Sequence, residues 1–74
     1  MARPSAEEDA QHRKTAQRIE QLFPQWLVMW SLYREEYWAC PCFDAPPGTV
    51  VRARDVNQLT RDMYAVQAAV RYRQ

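Results

Sequence analysis

Cys40-Pro41-Cys42 places two thiols one residue apart, and the chain has no other cysteine. On an extended segment they share a face, where two thiolates with His12 or Asp44 could hold a metal ion. Structural zinc sites more often space paired cysteines by two to four residues and add a second pair, which this chain lacks. A bond between the two sulfurs would be strained. A pair this close cannot staple distant segments either. The simpler expectation is two small, half-buried residues with no metal and no cofactor, because free cysteine packs as a small hydrophobe.

Other catalytic arrangements find less support. His12, the single histidine, lies on the polar half of an expected helix and is assigned to the surface. No Ser or Cys comes with an evident histidine base and orienting acid. One glycine in the whole chain excludes the familiar glycine-rich phosphate loops. Glu35 and Glu36 are adjacent at a strand end, so their carboxylates point apart and fit a solvated turn. The chain is expected not to be an enzyme.

Arg52 and Arg54 lie among exposed aromatic candidates, a combination that can bind single-stranded nucleic acid by stacking bases on Trp or Tyr. Nine acidic against ten basic residues leave a net charge of +1, a weak attraction for a polyanion. Nucleic acid is therefore the second functional expectation. Arg61, Arg71 and Arg73 read as the solvated side of the last helix.

These residues sit in a chain of 74 residues, room for one small domain whose core supplies only about 3–5 kcal/mol of net stability. Hydrophobic residues make up 47%, too many for a disordered chain. No apolar run is long enough to span a bilayer, and Met1 to Ala10 has no apolar signal core. The expected location is the cytoplasm.

A first helix is predicted from about Ser5 to Phe23. Ser5 and Glu8 form a capping box, and Glu7, Glu8 and Asp9 suit the positive end of the helix dipole. Asp9 and Arg13 are spaced for an ion pair. The apolar stripe is Ala16, Ile19, Leu22 and Phe23, and Pro24 ends the helix. Residues 1–10, outside that stripe, are expected to be mobile.

Gln25 to Tyr33 and Tyr37 to Phe43 are rich in β-branched and aromatic residues and read as strands. The Arg34-Glu35-Glu36 break lacks the Asn-Gly signal of a two-residue turn, so a loop of three to five residues is predicted. Pro41 must sit at an edge or at a position that donates no ladder bond. Asp44 to Gly48 is a turn, Thr49 to Ala53 a third strand, and Asp55 with Gln58 a second capping box. Val56, Leu59, Met63, Val66 and Val70 form the stripe of a second helix. The expected fold is α+β, a single domain over 1–74 in the order helix, three-stranded antiparallel meander, helix, with both helices on one face.

Such a sheet needs apolar residues on one face only, yet the first two strands are apolar on both. Trp26, Val28, Trp30 and Leu32 alternate with Leu27, Met29, Ser31 and Tyr33. Tyr37, Ala39, Pro41 and Phe43 alternate with Trp38, Cys40 and Cys42. Either both faces wrap into one core, or one face remains open for a partner. The leading functional expectation is a non-enzymatic interaction module. It would bind a protein partner or a second copy through Met29, Trp30, Tyr33 and Trp38, with Arg52 and Arg54 beside them.

The stretch Trp26-Leu27-Val28-Met29-Trp30, Tyr37-Trp38-Ala39 and Pro46-Pro47-Gly48-Thr49-Val50-Val51 resembles a group of short uncharacterised actinobacterial proteins. They share a W-x-V-x-W strand, an aromatic-W-A strand, a P-x-G-T turn and a C-terminal helix. That resemblance spans roughly residues 19–66 and implies no activity. A looser similarity in element order exists to the MbtH-like accessory proteins of peptide synthetases. Their S-x-W-P core is missing here, since Ala39-Cys40 follows Trp38, so no residue role carries over.

Overall fold

The computed structural model describes residues 6–72. Helix α1 (Ala6–Leu22) leads into strands β1 (Trp26–Ser31), β2 (Glu36–Pro41) and β3 (Val51–Ala53), and helix α2 (Val56–Tyr72) follows. The strands form one antiparallel sheet with β2 in the centre. This is the predicted helix–meander–helix order. Ser5, Arg73 and the rest of 1–5 and 73–74 lie outside the described residues, whereas residues 6–10 belong to α1.

Strand alternation decides where the core lies. Trp26 and Val28 of β1, Tyr37 and Ala39 of β2, and Val51 and Ala53 of β3 are buried on one side of the sheet. Ala16 and Ile19 of α1 and Leu59 and Met63 of α2 complete the same cluster. Helix α1 packs mainly on β1, and α2 on β3 and β2. The two apolar faces therefore do not wrap into one core. Both helices occupy one face.

Local chemistry explains the connections. Pro46 C=O accepts from Thr49 N–H at 3.2 Å, and Gly48 has φ 81°. Pro47 and Gly48 thus take the two central positions of a type II turn, where proline fixes the first φ and glycine tolerates the second. The hairpin loop is four residues, Leu32 to Glu35, since Ser31 pairs with Glu36. Its last residue, Glu35, has φ 54°, a left-handed conformation that costs a non-glycine residue about 1–2 kcal/mol.

Several predicted boundaries move. Leu32 and Tyr33 were expected in the first strand but form the turn, and Thr49 and Val50 precede the three-residue β3. Leu22 was expected in the core but is 71% exposed, because Phe23 takes the place at the helix end and packs against Tyr64. Asp55 Oδ2 accepts from Gln58 N–H at 3.0 Å, as a cap should, but the Gln58 amide donates forward to Asp62 instead of reaching back.

Pro41 lies in the central strand without disturbing it. Cys42 N–H donates to Gln25 C=O at 2.7 Å, so the pairs that exchange hydrogen bonds are 25–42, 27–40 and 29–38. Trp26–Pro41 is then a pair without exchange. On its other side the β3 ladder has already ended at Ala39–Val51. No bond is lost.

The same alternation turns Val28 N–H outward at the free edge of β1, where Glu20 Oε1 accepts it at 2.9 Å. A carboxylate from α1 thus closes a sheet edge that would otherwise offer a bare donor. Glu20→Ala should cost about 1–2 kcal/mol, and Glu20→Gln, which keeps an acceptor, less than half of that. Urea denaturation of the three proteins checks this; equal losses would remove the bond from the account. Gly48→Ala should cost about 1–2 kcal/mol from φ alone, because an added Cβ meets nothing within 4 Å. Glu35→Gly should gain up to about 1 kcal/mol on the same titration.

Candidate interaction face and the His12 cluster

The face of the sheet turned away from the helices carries Leu27 and Met29 from β1, Trp38 and Cys40 from β2, and Arg52 from β3. Leu27, Met29 and nearby Val50 are exposed hydrophobic residues. The register aligns Met29, Trp38 and Arg52 in one row across the three strands. Trp38 is at its centre.

Two charges hold Trp38 in place. Its indole N–H donates to Glu36 Oε1 at 3.0 Å, the neighbour two residues back on the same face. The Arg52 guanidinium lies 5.4 Å from the ring centroid, a cation–π contact worth about 0.5–1 kcal/mol at an exposed site.

The remaining sequence-predicted site residues are divided by the fold. Tyr33 is at the hairpin tip, 95% exposed, beyond the end of β1. Arg54 is exposed in the bend between β3 and α2. Trp30 is on the opposite side of the sheet from Met29 and Trp38, because alternation along β1 turns it with Val28 toward the helices. Grouping it with Trp38 on one open face is therefore corrected.

Trp30 instead takes part in a polar and aromatic cluster under the first half of α1. The His12 ring stacks on Trp30 with centroids 3.9 Å apart and planes inclined 18°. His12 Nδ1 and the Tyr37 hydroxyl share a hydrogen bond of 2.7 Å, and Tyr37 packs edge-on against Trp30. His12 is half-buried, not a surface residue. Four residues before Ala16 and seven before Ile19, it continues the buried stripe by one turn, a periodicity hidden by its polarity. Trp30 Nε1 is buried here without a hydrogen-bond partner.

Cys40 and Cys42 are both free, the first half-buried and the second exposed. The Cys42–Gln25 bond carries the strand geometry to residue 42, so the two thiols share the open face, and Phe43 turns inward against Trp26. His12, weighed as a further ligand, is on the far side of the sheet. Among the described residues, no three His, Cys, Asp or Glu side chains are grouped to hold a metal ion, and no helix is long and apolar enough to cross a membrane. Compared with known proteins, the chain matches no family model, no curated protein and no solved structure.

Burial raises the Tyr37 pKa above the ordinary tyrosine value, with a hydrogen bond to Thr15 pulling the other way. A raised phenol pKa means that the folded state favours the neutral hydroxyl. That stability is fully present below about pH 10 and is lost as pH rises through the folded value. Tyr37→Phe should lower stability at neutral pH by about 1 kcal/mol through the lost hydrogen bond. The variant should also lose less stability than the parent between about pH 10 and pH 12. Parallel pH-dependent unfolding curves would remove Tyr37 from the alkaline transition.

Proposed function

We propose that this chain is a non-enzymatic protein-interaction module that docks through the open sheet face, with a second copy as the partner. The observation that carries this reading is the one-sided core: both helices cover one face of the sheet and leave Leu27, Met29 and Trp38 on the other. Trp38, fixed by Glu36 and Arg52, has the character of an interface anchor, a large aromatic side chain whose orientation is settled before binding. Two sheet faces stacked about 10 Å apart are a common way to bury such surfaces.

Edge pairing fits less well, since Glu20 occupies the outward donor of β1 and β3 is only three residues long. Nucleic acid is also less well supported, because the net charge is only +1 and the Arg52 guanidinium is already engaged over the Trp38 ring.

The surface is small. Strands of six residues at about 3.3 Å per residue, three abreast at about 4.8 Å, span roughly 20 by 14 Å. A pair of such faces buries less than the ~1,200 Å² at the lower bound of standard interfaces, so association is of the weak class. Light scattering in chelator and reductant should show molar mass rising with concentration. Trp38→Ala should raise the dissociation constant at least roughly tenfold with helix content unchanged by circular dichroism. Met29→Lys, at an exposed position outside the core cluster, should do the same. A constant monomer mass at all concentrations, or unaltered association of both variants, would overturn the reading.

A further inference from the structure

What the two thiols can hold is set within a single chain and does not depend on docking. We infer that Cys40 and Cys42 of one chain form a two-coordinate site for a soft monovalent cation, copper(I).

Packing does not account for both residues. A free cysteine ordinarily behaves as a small hydrophobe and is buried. Half-buried Cys40 fits that pattern, but Cys42 is exposed. The backbone nevertheless holds each of them. Cys40 is opposite Leu27 in the β1–β2 ladder, and Cys42 N–H donates to Gln25 C=O at 2.7 Å. Pro41 between them fixes its own φ and keeps Cys40 extended. Thiols carried in this way are in position before a ligand arrives.

Their spacing selects among the things two thiols can do. Cα atoms two residues apart on a strand are about 6.7 Å from each other, and near-parallel Cα–Cβ bonds keep the Cβ atoms almost as far apart. A disulfide needs Cβ atoms within ~4.5 Å, so forming one would bend the strand and break the Cys42–Gln25 bond. Structural zinc and iron–sulfur clusters take four ligands. Among the described residues, no third His, Cys, Asp or Glu is grouped with the thiols. A two-coordinate ion needs only the pair. Its sulfurs would lie roughly 4–5 Å apart, twice a metal–thiolate bond of ~2.3 Å, and side chains leaning toward each other along the strand supply that gap. Thiolate ligands favour soft copper(I).

The surroundings suit such an ion. Leu27 flanks Cys40 on β1, and Val50, just before β3, continues the register on the other side. Both are exposed aliphatic side chains and bring no competing oxygen ligand. Binding replaces two S–H bonds by two Cu–S bonds and releases two protons to solvent; no electron is transferred. The centre then carries one negative charge, which Arg52, paired with Trp38 two residues before Cys40, offsets in part.

The test uses the full chain, reduced, freed of reductant without oxygen, and titrated with copper(I) acetonitrile complex against the coloured chelator bicinchoninate. One copper ion per chain should be withdrawn from the chelator, and copper should leave the molar mass by light scattering unchanged. Cys40→Ser and Cys42→Ser should each abolish binding with circular dichroism unchanged. Copper that stays wholly with the chelator would overturn the site, as would binding that survives in either serine variant. Half an ion per chain with a copper-dependent rise in mass would also overturn it, because the thiols would then be shared between chains. All three results leave the sheet-face reading intact, since that reading is tested in chelator. A constant monomer mass there, with one copper bound per chain, would overturn the docking and support the copper site.

Discussion

Ala39 is fully buried at the centre of the middle strand, and its small size is the constraint around which the rest is arranged. It pairs with Val28 on one side and Val51 on the other. The row Val–Ala–Val makes a shallow trough in the sheet. Ile19 and Ala16 from one helix and Leu59 and Met63 from the other pack in the same cluster. A larger residue at 39 would disturb the cluster in which both helices take part, since interiors this dense have no slack.

The trough is narrow, so the larger aromatic residues lie toward its two ends. Trp26, with Phe43 against it, fills the end near Pro41. Trp30 and Tyr37 fill the end near the hairpin, and there the helix contributes His12 in place of an aliphatic residue. A stacked imidazole gives the Tyr37 hydroxyl a hydrogen-bond partner that a leucine would not offer. At the sheet edge Glu20 does comparable work. The first helix is therefore held by two polar contacts, at Tyr37 and at the Val28 amide, as much as by its two buried apolar residues.

Placing both helices on one side leaves the apolar residues of the other side uncovered. That face is ordered rather than loose: Trp38 is held by hydrogen bonding to Glu36 and by the Arg52 charge, and Met29 is fixed opposite it by the strand register. The thiols continue the same surface toward the opposite end of β2. The aromatic side chain and the thiols lie along β2, with the exposed aliphatic side chains of Leu27, Met29 and Val50 on either side of it.

Much of this architecture was legible in the residues. The α2 stripe, the Asp55 cap, the Pro47-Gly48 turn and the excess of apolar residues on both sides of the first two strands follow from periodicity and backbone chemistry, which are local. The placement of His12 was not legible, because a polar residue on a helix is buried only when a distant partner, here Tyr37, supplies its hydrogen bond. Nor was the separation of Trp30 from Trp38: alternation says that Trp30 lies with Val28, but only the register, which sets Met29 opposite Trp38, puts Trp38 on the other side. The chain by itself determined which residues of each strand share a face. Tertiary structure decided which face was buried, because two helices of limited area can cover one side of a sheet and not both.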